Sequence, residues 1–148
     1  RRVLFRSLLD EGAVERVLLL GAPAEAPVLE DIAGVREDIV TLAGAGPLSW
    51  SMAAIAEAAI VVGNDSAMIH AAAGFHRPLL GLFGPTDPVE CGPYGRIDDT
   101  IRADGVDEGT HYRDRGLDDR IMRRIELETV VRAALHRLAV PAGPENDS

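Results

Sequence analysis

Cysteine is almost absent from this sequence of 148 residues, which contains a single one, Cys91. A lone cysteine excludes an internal disulfide and is typical of proteins from a reducing compartment. The sequence also lacks an apolar run approaching the ~20 residues that a membrane span needs, and no basic-then-apolar signal peptide stands at its start. These absences together predict a cytoplasmic protein.

Basic side chains are scarce relative to acidic ones. Lys and Arg number 15 against 24 Asp and Glu, so the formal net charge is −9. Nucleic acids and anionic membranes are polyanions, and an excess of acid this large argues against either as the main partner. We therefore expect no nucleic-acid partner.

Hydrophobic residues are plentiful, at 47% of the sequence, which is enough to bury a core. The length fits one domain, which we place at residues 1–140, with residues 141–148 as a polar, disordered tail. The sequence begins at Arg1 and not at a methionine. We therefore expect it to be a piece of a longer chain, truncated at the N-terminal edge of the domain.

Short apolar runs alternate with amphipathic segments along the chain. The runs predict four buried strands, at residues 17–20, 39–42, 60–62 and 79–83. Strands that alternate with helices imply crossover connections and a parallel sheet covered on both faces. The predicted fold is α/β, a three-layer, Rossmann-like parallel sheet. Residues 86–120 are rich in Gly, Asp and Arg, and we expect a long irregular loop there.

The end of the third predicted strand carries the main candidate site. Residues 61–70, VVGNDSAMIH, are typical of a strand, a tight turn and a helix start. The amides of Ser66, Ala67 and Met68 would be unpaired donors at a positively polarised helix end, which can hold a phosphate without a lysine. His70, four residues after Ser66, can donate to the same phosphate. The alternative is that Asp65 or Ser66 only caps the helix and that His70 is an ordinary histidine.

Three weaker candidates follow other predicted strands, where ligands bind in open parallel sheets. Thr86 offers a hydroxyl and an amide in a loop stiffened by Pro85 and Pro88, although a Gly-Pro turn is common in any protein. Glu25 can accept hydrogen bonds from a ribose diol, or it can complement a helix start instead. Gly46 belongs to a loop of small residues that can line a flat base.

Other chemistries lack their motifs. A serine nucleophile elbow, G-x-S-x-G around Ser66, would need glycines where the sequence has Asn64 and Met68. No pair of histidines or carboxylates has metal-ligand spacing, so we predict no metal site. No G-x-G-x-x-G motif follows a strand, which weakens the hypothesis of a dinucleotide-dependent oxidoreductase.

Taken together, these motifs resemble one family. In chain order they are LAG at 42–44, NDSAMIHAAA at 64–73, FGPTDP at 83–88 and GPYG at 92–95. From about Val17 to the final helix, the sequence is similar to the C-terminal half of glycosyltransferase family 9, the ADP-heptose:lipopolysaccharide heptosyltransferases. The aspartate-serine run followed by FGPTDP is the specific part of this resemblance.

The resemblance implies the C-terminal half of a GT-B fold, in which two Rossmann-like halves face each other across a cleft. This half would bind the nucleotide-sugar donor, and the other half would bind a glycolipid or saccharide acceptor and carry the catalytic carboxylate. The reaction would be a metal-independent, inverting transfer of a heptose or related sugar from an ADP-sugar to a lipopolysaccharide-core or similar acceptor. No cofactor is implied. The full enzyme would associate peripherally with a membrane, and this chain alone would be inactive.

The family's binding roles transfer by position to residues already singled out. The amides of Ser66 and Ala67 would hold the pyrophosphate, with His70 near the phosphates. Asp65 would accept hydrogen bonds from the heptose hydroxyls. In addition, Glu25 would hold the ribose and the Gly46 loop would flank the adenine.

Two departures from the family pattern bear on these roles. The family usually has glycine where this chain has Ala67, whose methyl group we expect to weaken the phosphate contact without abolishing it. The family's half also normally begins with a strand and a Lys-Trp-Pro-type phosphate loop, ahead of the helix that starts here at Val3. The sequence holds neither these nor the other half, so we expect the catalytic base and one basic phosphate ligand to lie outside it.

Two other functions stay open at this point. The chain can be a non-catalytic module that binds a nucleotide or docks on a partner. It can also be part of another GT-B enzyme, such as a nucleotide-sugar epimerase, and a comparison of uridine with adenine nucleotides would separate that case.

Overall fold

The computed structural model describes residues 2–106 and 118–140, with side chains described for 4–106 and 120–140. The chain divides into two compact units, Arg1–Ala58 and Ala59–Ser148. Every strand pairing in the described residues is parallel.

The first unit places helices around a two-stranded parallel sheet. Its elements are α1 (Arg2–Asp10), β1 (Val17–Leu19), a 3-10 turn (Pro23–Glu25), α2 (Ala26–Ala33), β2 (Ile39–Thr41) and α3 (Leu48–Glu57). Val17 lies opposite Ile39, and Leu19 lies opposite Thr41. Aliphatic side chains from α1, α2, both strands and the loop after β2 form the core: Leu9, Leu19, Leu29, Ile32, Ile39 and Ala43.

The second unit has a three-stranded parallel sheet in the order β3-β4-β5. Its elements are β3 (Val61–Asn64), α4 (Ala67–Gly74), β4 (Leu79–Phe83), α5 (Pro88–Cys91), a 3-10 turn (Ile97–Asp99), β5 (Thr100–Arg102), α6 (Asp118–Met122) and α7 (Leu127–Ala139). The central strand β4 is buried along nearly its whole length, and both α4 and α7 contact it. The consecutive apolar residues of β4 are therefore typical of a strand covered on both faces.

The predicted α/β fold with parallel strands is confirmed, and all four predicted strands exist, with each end within two residues of the prediction. The strands are divided between two sheets in the described residues, where the sequence predicts one. The prediction of one domain over 1–140 stays a prediction. Its proposed tail at 141–148 lies outside the described residues.

The prediction of an irregular loop over residues 86–120 is wrong for part of that range. It contains α5, a 3-10 turn and β5, while residues 107–117 lie outside the described part. β5 has three residues, Thr-Ile-Arg, which follow two aspartates and give no periodic signal. The strand forms because Gly81, Leu82 and Phe83 of β4 offer it a paired edge.

No helix in residues 2–106 and 118–140 combines the length and the apolar character needed to cross a membrane.

In the first unit, a bidentate ion pair joins Arg36 and Asp38 in the segment just before β2. Arg36 donates from Nε to Asp38 Oδ1 at 2.9 Å and from Nη2 to Asp38 Oδ2 at 2.8 Å. Its Nη1 also contacts the carboxylate of Asp10 at the end of α1. Hydrogen bonds from Arg36 lower the pKa of Asp38 below its usual range, since they favour the charged carboxylate.

This ion pair predicts a pH-dependent stability difference. Because the folded-state pKa of Asp38 is depressed, its contribution is present above the unfolded pKa of about 3.9 and is lost as the pH falls through the folded value. Asp38→Asn should therefore be less stable than the parent at pH 7, with the difference shrinking below about pH 4. Urea unfolding at pH 7 and below about pH 4 measures this difference in stability. The exposed Glu37 provides the control, because Glu37→Gln should leave the free energy of unfolding unchanged at both pH values.

Two glycines of the second unit predict opposite effects of the same substitution. A Cβ at Gly81 would lie 2.8 Å from Cε2 of Phe83, which is fully buried, whereas a Cβ at Gly74 would meet nothing within 4 Å. Gly81→Ala should cost about 1–3 kcal/mol through overpacking, and Gly74→Ala should stabilise α4 by about 0.5 kcal/mol. Thermal unfolding of both variants tests this pair. Equal effects at the two positions would contradict the packing described for β4.

Candidate functional site

The main candidate site lies at the carboxyl edge of the sheet in the second unit. Asn64, the last residue of β3, is paired with Leu82 of β4, so the two strands end side by side. Asp65 and Ser66 form the turn that follows β3, and α4 begins at Ala67. This strand, turn and helix start agree with the sequence prediction for residues 61–70.

The first amides of α4 have no intrahelical partner. The amide of Ile69 donates to the carbonyl of Ser66 at 3.1 Å, closing the first turn. Among the residues that the structure describes, the amides of Ser66, Ala67 and Met68 donate no such bond. They lie where the helix dipole is positive, so together they form a donor set suited to an anion.

The side chains around this turn are not used for capping. Ser66 has an extended backbone (φ −159°, ψ 162°) and makes no side-chain cap to α4. Ser66 and His70 are exposed and Asp65 is half-buried. Within residues 4–106 and 120–140, none of the three polar groups has a hydrogen-bond partner. The capping role weighed for Asp65 and Ser66 is therefore not what the structure shows.

Apolar packing holds the first turn of α4 against the sheet. Ile69 is fully buried, and a Cβ at Gly63 of β3 would already contact its side chain at 3.4 Å. Met68 is half-buried and Ala67 exposed. Ser66 and Ala67, which carry two of the three unpaired amides, are thus both exposed at the surface.

Thr86 lies at the same sheet edge, in the loop between β4 and α5. It is half-buried. Its neighbour Asp87 holds the loop through one contact to α5 and one to β5. Asp87 Oδ1 accepts from the amide of Val89 at 2.9 Å, which caps α5, and its Oδ2 pairs with Nη1 of Arg102 at 2.9 Å. Arg102 ends β5 opposite Phe83. Arg102 was not among the predicted site residues, because β5 gives no periodic signal in the sequence.

Glu25 and Gly46 lie in the first unit, at the carboxyl ends of β1 and β2. Glu25 is exposed and its Oε2 accepts from the amide of Ala22 at 2.8 Å, which is the helix-start role that sequence analysis weighed as the alternative. Its predicted ribose contact stays a prediction. The loop after β2 packs nearby, since a Cβ at Gly44 would lie 3.6 Å from Cα of Pro23.

Gly46 is exposed and lies under an aromatic side chain that sequence analysis did not single out. A Cβ at Gly46 would lie 2.5, 2.6 and 2.8 Å from Cε3, Cδ2 and Cζ3 of Trp50. Only glycine therefore permits this contact without a shift of the ring. Trp50 is 53% exposed. It is the one tryptophan in the sequence, and that rarity was the available signal.

No three His, Cys, Asp or Glu side chains cluster as metal ligands in the parts of the chain that the structure describes. The groups at the sheet edge of the second unit are instead backbone amides, hydroxyls and a carboxylate. Unpaired amides at a helix start suit an anion.

Parallel α/β units with helices after their strands define the class of Rossmann-like folds. Within that class, the family model for glycosyltransferase family 9 (heptosyltransferase) matches residues 2–113. The chain belongs to this family.

Solved structures support the same assignment of fold. The chain superposes on E. coli ADP-heptose LPS heptosyltransferase II with a TM-score of 0.71 at 23% identity, over 93% of this chain and 40% of that one. It superposes on E. coli heptosyltransferase WaaC with ADP with a TM-score of 0.72 at 25% identity, over 92% of this chain and 38% of that one. The predicted GT-B, Rossmann-like fold is therefore confirmed.

Curated relatives are similar over shorter stretches. Lipooligosaccharide heptosyltransferase 2 of Haemophilus influenzae is 42% identical over 77 residues, which are 49% of this chain and 22% of that protein. Lipopolysaccharide heptosyltransferase 2 of Escherichia coli K12 is 32% identical over 90 residues, which are 57% of this chain and 25% of that protein. The matched region thus spans about a quarter of each of these relatives.

The contrast between Ser66 and Asp87 predicts unequal costs for removing two residues at helix starts. Ser66→Ala should change the free energy of unfolding by less than about 0.5 kcal/mol, because its hydroxyl caps nothing. Asp87→Ala should cost about 1–2 kcal/mol, because it removes both a cap and a half-exposed ion pair. Chemical denaturation measures both values. A cost above 1 kcal/mol for Ser66→Ala would show that Ser66 is a structural cap.

Proposed function

We propose that this chain is the donor-binding part of a glycosyltransferase that transfers a heptose or related sugar from an ADP-sugar to a lipopolysaccharide-core or similar acceptor. The observation that carries the proposal is the set of three unpaired amides at the start of α4, beside an unpartnered carboxylate and hydroxyl. Family membership and the heptosyltransferase names of its relatives support the choice of substrate.

The amides of Ser66, Ala67 and Met68 hold the diphosphate in this proposal, with the Ser66 hydroxyl beside them. The site suits an acidic protein, because Asp65 and Arg77 are the only formally charged side chains between Ala59 and Pro85. Backbone dipoles therefore act on the anion in a stretch with little opposing charge, despite the net charge of −9.

The remaining groups of the second unit contact the sugar and the phosphates. Asp65 accepts hydrogen bonds from sugar hydroxyls, because an ionised carboxylate offers acceptors only. His70, exposed one turn into α4, donates to a phosphate oxygen, and Thr86 contributes its hydroxyl from the neighbouring loop. In the first unit, Glu25 accepts from the ribose and the Gly46 loop flanks the base.

The chemical step is an inverting displacement at the anomeric carbon of the donor. An acceptor hydroxyl forms the new C–O bond while the bond from the anomeric carbon to the ADP oxygen breaks, and ADP leaves with the electron pair. The hydroxyl proton passes to a base supplied by residues outside this chain. Unpaired amides at the start of α4 stabilise the charge that develops on the leaving phosphate. The ADP-sugar is a substrate, and the proposal includes no cofactor or metal.

The chain spans about 40% of the solved heptosyltransferases it resembles. Binding of the glycolipid or saccharide acceptor is therefore assigned to the rest of the enzyme, which would act in the cytoplasm and associate peripherally with a membrane. This chain alone binds the donor without transferring the sugar.

Ala67 offers a clean test, because it is the first residue of α4 and follows an extended Ser66. Proline is tolerated at such a position, so Ala67→Pro removes one amide donor and leaves the helix intact. Loss of a hydrogen bond to a charged group costs about 1.5–3 kcal/mol, so calorimetry should show ADP binding at least about tenfold weaker than in the parent chain.

Ala67→Val is the matched control, because it adds bulk at the same position and keeps the amide. It should weaken ADP binding less than Ala67→Pro does. UDP should bind more weakly than ADP to the parent chain. The proposal is wrong if ADP does not bind, if Ala67→Pro binds ADP as the parent does, or if UDP is preferred.

A further inference from the structure

An ion pair closes the loop that carries Thr86 in the second unit. The loop runs from the carboxyl end of β4 to the start of α5. Asp87 Oδ2 accepts from Nη1 of Arg102 at 2.9 Å, and Asp87 Oδ1 accepts from the amide of Val89. Because Arg102 ends β5 opposite Phe83, the pair joins the far end of the loop to the strand beside β4. Thr86 therefore lies one residue away from a fixed point.

The start of the same loop is held by apolar packing. Gly84 is buried, and a Cβ there would lie 2.8 Å from Sδ of Met122 and 3.5 Å from Cγ2 of Ile121. The helix α6 therefore packs directly on the first residue of the loop. Since the loop is attached at both ends, the position of Thr86 between them depends on each attachment.

Stability does not explain an arginine at the end of β5. Its Nε is buried and has no hydrogen-bond partner among the residues that the structure describes, and a buried donor without an acceptor costs free energy. The pair with Asp87 returns little, because the two side chains are 33% and 38% exposed and exposed ion pairs contribute weakly. An aliphatic residue would avoid the unpaired donor. Residues that break a packing rule without a gain in stability are expected at functional sites.

We propose that Arg102 is a positioning residue for the diphosphate site, and that it acts through Asp87 to hold the Thr86 hydroxyl where it can contact a phosphate oxygen of the donor. This inference rests on the proposed function, which uses the Thr86 hydroxyl, and adds to it the residue that places this group. Arg102 itself does not touch the ligand. A hydroxyl that is already held in its bound position loses less conformational entropy when the anion binds, so the ion pair strengthens binding.

Arg102→Gln tests the proposal because it removes the charge and keeps a polar side chain. By calorimetry on the full chain, it should weaken the binding of pyrophosphate and of ADP about fivefold, because the Thr86 hydroxyl loses its fixed position. Asp87→Asn should have the same effect, since its amide oxygen can still cap α5 while its charge no longer pairs with Arg102. The double variant should bind no more weakly than either single variant.

Thr86→Val separates positioning from direct contact with the ligand. It removes the hydroxyl and keeps the branched shape, so it should weaken binding about as much as Arg102→Gln does. In the Thr86→Val background, Arg102→Gln should have no further effect, because the group that it positions is already gone. An equal loss in both backgrounds would overturn the proposal, and so would a Thr86→Val variant that binds as the parent does while Arg102→Gln binds more weakly.

Arg96→Gln is the matched control at the opposite end of the same strand. Arg96 Nε pairs with Asp99 Oδ2 at 2.6 Å just before β5 begins, and both side chains are less than one-third exposed. Breaking that pair should lower the midpoint of thermal unfolding and leave the binding of both ligands unchanged. If Arg96→Gln weakens binding as much as Arg102→Gln does, the effect of Arg102 is a general loss of stability and the proposal is wrong.

The outcomes distinguish this inference from the proposed function. If ADP and pyrophosphate bind the parent chain and bind the Arg102→Gln variant equally well, Arg102 positions no ligand contact and the proposed function stands. If neither ligand binds the parent chain at millimolar concentration, the proposed function fails and the inference fails with it.

Discussion

The parallel pairing of β3 with β4 decides where the polar groups of the second unit lie. Because Asn64 is paired with Leu82, the turn at Asp65 and Ser66 and the loop that carries Thr86 leave the sheet at the same edge. The chain must then enter α4 directly after β3, which leaves the first amides of the helix without carbonyl partners. A buried Ile69 fixes that helix start on the sheet. The donor set follows from this arrangement of the backbone and needs no basic side chain.

An acidic chain can bind a diphosphate because the electric field at the binding site comes mainly from nearby groups. Backbone dipoles at a helix end act over a few ångströms, while exposed charges farther away are screened within about one Debye length. Arg102, which ends β5 at this edge, is already paired with Asp87 and holds the Thr86 loop against β5. Its role in the described structure is to support the loop.

Much of the fold was predictable because apolar runs and small residues at their ends are local signals. The first four strands, the parallel α/β class and the turn at residues 65 and 66 came from such patterns. β5 was missed because three residues after two aspartates carry no periodicity, and its pairing depends on β4, whose paired residues lie 19 positions earlier in the sequence. The contact of Asp87 with Arg102 could not be predicted without that strand.

The candidate site was predictable in its residues more than in its contacts. Spacing indicated the helix start at Ser66, but it could not distinguish a capping hydroxyl from an unpartnered one. That difference depends on side-chain rotamers, which sequence does not specify. The contact of the Trp50 ring with Gly46 is likewise a tertiary detail. The presence of a single tryptophan in the sequence does not predict it.

Amide chemical shifts provide the most direct test of the central claim, that the backbone at the start of α4 binds the diphosphate. We expect pyrophosphate and ADP each to move the amide proton resonances of Ser66, Ala67 and Met68 downfield. For each ligand, the three shifts should saturate with a single dissociation constant. The first-turn amides of α7 serve as an internal reference and should stay in place. Shifts confined to other amides, or unchanged resonances at these three under saturating ligand, would contradict the account.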